Sequence, residues 1–164
     1  MKIRLAKPID VDAIALLWLA FQREHNRKHQ RMVRETRENA ERMATHVADL
    51  VPLGQVLVLT EHREVLGFAL IVANLPRIDT YYATAAISDL YLVPAARGKG
   101  WGRRLLEAAI ETIREKGLHG ATIGVHVGNH SARGLYREMG FRAQQEILIL
   151  PFEGAPIKFG PESE

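Results

Sequence analysis

The sequence predicts an α+β fold: a mixed, mostly antiparallel sheet flanked by helices, with a central parallel strand pair. Two stretches carry this expectation. Gln55 to Ala73 holds two β-rich apolar runs separated by Glu61, His62, Arg63 and Glu64, an antiparallel hairpin by length and composition. Thr84 to Val93 and His119 to Val127 both have strand character and are separated by a helical pattern that stops at Gly117. A strand, a crossover helix and another strand imply a parallel pair, because the chain must return to the same end of the sheet. At 164 residues the chain can bury roughly two-thirds of its unfolded surface in one core, so a single domain over residues 1–164 is expected.

Taken in order, Lys2 to Pro8 alternates Ile3 and Leu5 with charged neighbours, as a short half-buried strand does. Asp10 precedes Ile14, Leu17, Trp18 and Phe21 at helical intervals, and is expected to cap a helix running to about Glu24. His25 to Arg34 is polar and basic with little periodicity, either a solvated connector or a mobile loop that helps form a substrate site. A second helix is expected from about Glu35 to Leu50, with Ala40, Met43, Val47 and Leu50 on one face, ending near Pro52. The almost continuous apolar character of the hairpin strands implies burial on both faces.

Residues 74–83 are turn-rich and carry two adjacent tyrosines, Tyr81 and Tyr82, candidates to line a pocket. Along Thr84 to Val93, alternation places Ile87, Asp89, Tyr91 and Val93 on one face and Ser88, Leu90 and Leu92 on the other. The next helix carries Leu105, Leu106, Ala109, Ile110 and Ile113 on one side, and Gly117 followed by Leu118 matches a Schellman ending. Asn129 to Met139 reads as a short helix with the same glycine-then-apolar ending, Gly140 and Phe141. Gly134 inside it costs about 1 kcal/mol relative to Ala and can mark close approach of a ligand or another chain. Ala143 to Phe152 is expected as the last strand, with a core over about 2–150 and a mobile tail from 153 to 164.

Composition narrows the function. The chain contains no Cys, which excludes disulfides and thiolate metal sites and suits a reducing cytoplasm. The amino terminus lacks the apolar core of a signal peptide, and no apolar run approaches the roughly 18 residues of a membrane span. A soluble cytoplasmic protein is therefore expected. The pI of about 9.4 reflects a net charge of only +3, and no aromatic runs interleave the basic residues, so nucleic acid is not expected as a partner.

The rest of the chain is organised around Ile87 to Lys116. An apolar strand stops at Pro94, passes through Arg97, Gly98, Lys99, Gly100, Trp101 and Gly102, and opens into an amphipathic helix. Unpaired N–H groups and the positive dipole end at a helix start make an anion site. A P-loop is excluded because Gly100, not Ser or Thr, follows Lys99, and a dinucleotide loop because Arg103 stands where its third glycine belongs. What fits is Arg-x-x-Gly-x-Gly, with Arg97, Gly100 and Gly102 in the named places.

This loop, together with the NHSARGLYREMGF segment around Asn129 and Tyr136, resembles the GCN5-related N-acetyltransferase (GNAT) family, and the element order over residues 3 to about 150 is similar to its whole fold. The resemblance implies acetyl-CoA as co-substrate and a primary amine as acceptor, without a metal. It implies that backbone groups of Leu92 and Val93 pair with the pantetheine arm, that Arg97, Gly98, Lys99, Gly100, Trp101, Gly102 and Arg103 hold the pyrophosphate, and that Asn129 contacts the cofactor. Tyr136 matches the tyrosine whose hydroxyl points at the thioester sulfur. A homodimer is the assembly the resemblance suggests.

Acyl transfer from a thioester needs an uncharged amine, stabilisation of a developing oxyanion and protonation of the leaving thiolate. Tyr136 can supply the last and main-chain N–H near Val93 the second. For the base, the position where some family members carry Glu is Gly124, which leaves Asp89, His126 or water. Asp89 is the leading candidate, as base or as anchor for the acceptor amine. Transfer of a longer acyl group, and a non-catalytic acyl-CoA-binding regulatory module, stand as alternatives.

Overall fold

A single mixed sheet organises the computed structural model, in which residues 1–29, 33–74, 83–150 and 152–153 are described. Its strands are β1 (Lys2–Leu5), β2 (Val56–Glu61), β3 (Glu64–Asn74), β4 (Thr84–Leu92) and β5 (Gly120–Ile123), in that spatial order. Neighbours pair antiparallel from β1 to β4, and β5 adds parallel to β4 through the crossover helix. The helices are α1 (Val11–His29), α2 (Arg37–Leu50), α3 (Trp101–Glu115) and α4 (His130–Glu138).

Both faces of the hairpin strands are covered, as their unbroken apolar sequence requires. Leu57, Leu59, Ala69 and Ile71 pack with Leu105, Leu106, Ala109 and Ile113 of α3. Val56, Val58, Phe68 and Leu70 pack with Ile14 and Phe21 of α1 and Val47 and Leu50 of α2. Thr36 caps α2 through its hydroxyl, which accepts from the Asn39 N–H at 3.2 Å.

Four expectations are corrected. The first helix does not stop near Glu24 but runs on to His29, absorbing part of the basic connector. Asp10 does not cap it: its carboxylate faces backwards, accepting from Lys7 N–H at 2.7 Å and from Arg4 at 2.7 and 2.9 Å. The second strand of the expected crossover, His119 to Val127, ends at Ile123, four residues short. Finally, the last strand does not form among the described residues 143–150, where Ile147, Leu148 and Leu150 are 79 to 84% exposed. Strand-forming residues become a strand only where a sheet edge pairs them, and none pairs this run. The parallel pair consequently lies at one end of the described sheet rather than at its centre. No helix among the described residues is long and apolar enough to cross a membrane.

The Arg4–Asp10 pair pins β1 to the start of α1, and hydrogen bonds from Arg4 first, then Lys7 N–H, hold the Asp10 carboxyl below its ordinary range despite burial. Asp10→Ala leaves the Arg4 guanidinium without its partner and should cost about 3 kcal/mol. A group whose folded pKa is depressed stabilises the fold above its unfolded pKa, and loses that contribution as pH falls through the folded one. The stability gap between wild type and Asp10→Ala, read from urea melts, should therefore hold at neutral pH and shrink below about pH 4. A gap that does not change with pH would remove the charge from this account.

Candidate active site

The site is built where β4 outlasts β5. Parallel pairing ends at Ile87 opposite Ile123, while β4 continues to Leu92, so Ser88–Leu92 present an edge that β5 does not cover. A register shift between Leu70 and Ile71 inserts Ser88 as an extra residue in β4. That bulge resets the alternation. Ile87 joins the α3-side core together with Leu90 and Leu92, whereas Asp89 and Tyr91 turn to the α1 side. The expected shared face of Ile87 and Asp89 is thus corrected.

Backbone direction also alternates along a strand. Val93 N–H donates to Leu66 C=O at 2.9 Å, on the β3 side, so it is not available to a ligand. Leu92 and Leu90 therefore direct their N–H groups to the open side. Leu92 C=O confirms this parity, since it accepts from Arg97 Nε at 2.9 Å away from β3. The gap-facing donor at the strand end is Leu92 N–H, one residue before Val93, near which the main-chain donor is expected.

After the single turn Pro94–Ala96, Gly98 and Gly100 take φ of 71° and 78°, and the position a Cβ would occupy on either has no neighbour within 4 Å. Left-handed backbone of this kind favours glycine. Gly100 caps α3 without a side-chain acceptor, so the N–H groups of Trp101, Gly102 and Arg103 head the helix unsatisfied by a cap. The basic side chains around them are engaged within the protein: Lys99 Nζ donates to Ala95 C=O at 2.9 Å, Arg103 pairs with Glu138, and Arg104 stacks 4.8 Å from the Trp101 ring centre. Arg97 donates to Glu24 through both terminal nitrogens, at 2.7 and 2.6 Å.

Asn129 is half-buried and caps α4, its Oδ1 accepting from Ala132 N–H at 3.2 Å. Tyr136 lies on α4 against the α3-side core. The helix ends in a Schellman motif, with Gly140 N–H donating to Arg137 C=O and Phe141 N–H to Tyr136 C=O, both at 3.0 Å. Phe141 then packs 5.8 Å from the Tyr136 ring. Burial raises the Tyr136 phenol pKa. Asp89 stands on the opposite face, half-buried, with Trp18 Nε1 donating to it at 3.3 Å. Tyr136 thus packs with the α3-side core, and Asp89 with α1 on the other face of the sheet.

Gly124 and His126 lie past the end of β5 and are exposed. Apart from its chain neighbours and its own helix backbone, no described atom comes within 4 Å of a Cβ placed on Gly134, so the space beside it is open. Tyr81 and Tyr82 lie outside the described residues. Sequence reasoning missed Glu24 and Trp18, for which no local signal exists. It also missed Gly67, whose place inside an apolar strand was the available signal. No cluster of His, Asp and Glu among the described residues has the makings of a metal site.

Comparison with known proteins bears on the family and the fold. The model of the Acetyltransferase (GNAT) family matches residues 12–141. An uncharacterized N-acetyltransferase of Bacillus subtilis (strain 168), YhfO, is 29% identical over 141 residues, covering 86% of this chain and 89% of that protein. The solved structure of a tetramutant of the BH1408 protein from Bacillus halodurans aligns with a TM-score of 0.74 at 26% identity, covering 93% of this chain and 100% of that one. A structure described as a predicted acetyltransferase with acetyl-CoA, from Clostridium acetobutylicum, shares the fold with a TM-score of 0.71 at 16% identity, covering 92% and 95%.

Proposed function

Because the chain belongs to the Acetyltransferase (GNAT) family, we propose that it is an N-acetyltransferase moving acetyl from acetyl-CoA to a primary amine by direct attack in a ternary complex. The observation that carries this reading is the uncovered edge of β4 at Ser88–Leu92, followed at once by the glycine turn into α3. An amide-bearing pantetheine arm suits such an edge, because it can pair with main-chain groups as an added strand does. A pyrophosphate suits the N–H groups from Gly98 to Arg103, where glycines leave room for close approach.

Acetyl-CoA supplies an activated thioester, and the residues supply placement and charge. Leu92 N–H donates to the acetyl oxygen as negative charge develops there. Tyr136 donates its hydroxyl hydrogen bond to the departing sulfur from the α3 side. Asp89, held by Trp18, anchors the acceptor ammonium from the α1 side and takes its proton directly or through water. Asn129 borders the cofactor from the head of α4. The acceptor is a small-molecule or protein amine.

The test is a panel of primary amines incubated with acetyl-CoA, with free thiol release followed over time. Release with at least one amine is expected. Binding of CoA in a calorimeter without release to any amine would favour a non-catalytic module, and no binding at all would end the cofactor reading.

A further inference from the structure

Arg97 heads the glycine motif, yet its guanidinium is engaged by groups of the protein itself. Both terminal nitrogens meet the Glu24 carboxylate in a bidentate pair, Nε donates to Leu92 C=O at 2.9 Å, and the guanidinium lies 5.2 Å from the Tyr91 ring centre. This planar fork matches a carboxylate better than any single phosphate contact left to it. Glu24 comes from α1, on the acceptor side of the sheet. The same helix also meets β4 through Trp18 on Asp89 and Phe21 on Tyr91, the latter at 5.6 Å. Side chains 18, 21 and 24 lie on successive turns, so one face of α1 meets Asp89, Tyr91 and Arg97 in order.

We propose that Arg97 is a positioning residue rather than a phosphate ligand: locked by Glu24, it holds Leu92 C=O and so aims the adjoining Leu92 N–H into the gap. The Leu92–Val93 peptide is fixed at both ends, its carbonyl by Arg97 and its N–H by Leu66 C=O at 2.9 Å. With that plane fixed, the preceding peptide turns little about Leu92. Glu24 thereby links the acceptor-side helix to the donor that faces the thioester. The role of Leu92 N–H rests on the acetyltransferase reading, whereas the clamp itself is a property of the free protein.

The test compares Glu24→Gln, Arg97→Gln and Arg97→Lys. In the free protein, hydrogen exchange at the Val93 amide should speed up about tenfold in all three, because each loosens the peptide. With a working amine, kcat should fall about tenfold in each while the dissociation constant for CoA stays within about threefold. The double variant Glu24→Gln with Arg97→Gln should be no slower than the worse single, since both act as one unit. Arg97→Lys is the sharpest arm: Lys keeps the charge that a phosphate needs but cannot hold Glu24 and Leu92 C=O together. Rescue by Lys, a tenfold loss of CoA affinity in Arg97→Gln alone, or unchanged Val93 exchange would each overturn the proposal. A wild type that does not bind CoA would instead strike the acetyltransferase reading and leave the exchange result standing.

Discussion

Tyr136→Phe lowers kcat by roughly a hundredfold while the KM for acetyl-CoA stays within about threefold, the pattern of an interaction made mainly in the transition state. The phenylalanine keeps the ring between the α3-side core and Phe141, and it leaves the Schellman bonds at Arg137 and Tyr136 untouched, since these use main-chain atoms. Only the hydroxyl is lost, so the melting temperature should hardly move. Burial raises the phenol above its ordinary value of 10.0. A thiol has an ordinary pKa of about 8.5, so full transfer of the phenol proton to a thiolate runs uphill, and in the proposed mechanism the hydroxyl instead donates a hydrogen bond as charge builds on sulfur. Since a raised pKa keeps the group protonated, the pH profile of kcat should rise as the acceptor amine loses its proton and show no fall from Tyr136 below about pH 10. Thiol-release assays of both forms across pH test this. Unchanged turnover in Tyr136→Phe would take the hydroxyl out of the mechanism.

Much of this arrangement is legible in the chain because it rests on local signals. The hairpin, the crossover and both glycine-terminated helices follow from periodicity and turn chemistry, and the Gly98 to Gly102 turn carries its left-handed φ values in its composition. What could not be read depends on contacts between distant segments. The bulge at Ser88 is set by how β4 registers against β3, and it moves Asp89 to the face opposite Ile87. Asp10 has the composition of a forward cap, but Arg4 lies close enough to turn it backwards. Residues 143–150 have strand composition and pair with no strand among the described residues. Arg97 sits where the motif demands, yet its head group answers to Glu24, 73 positions away in the chain.

Gly67→Ala should be the most damaging single-methyl change in the sheet. A Cβ on Gly67 would overlap Leu92 Cδ2 and lie 2.6 Å from the Tyr91 carbonyl oxygen. The first neighbour is a side chain packed in the α3-side core, and the second is main chain in the adjoining strand, so neither yields freely. Overpacking of this kind costs about 3 kcal/mol, which lowers the melting temperature by roughly 6 to 12 °C for a chain of this size. The movement it forces falls on the Tyr91–Leu92 peptide, whose N–H faces the gap. A displacement near 1 Å there should cost about a hundredfold in kcat. Gly102→Ala is the contrasting change. Its Cβ would rest 3.7 Å from Leu92 Cδ1 of β4, an ordinary contact, so the melting temperature should hold while affinity for CoA falls as the methyl crowds the approach to the helix N-terminus. Adding Leu92→Ala to Gly67→Ala removes one clash and leaves the Tyr91 carbonyl in place, so it should not restore either stability or turnover. Melting curves and CoA titrations of these variants separate the two roles of glycine. Equal melting temperatures for Gly67→Ala and wild type would mean that β3 and β4 part without cost, and the close approach of Gly67 would then not be what fixes the Leu92 donor.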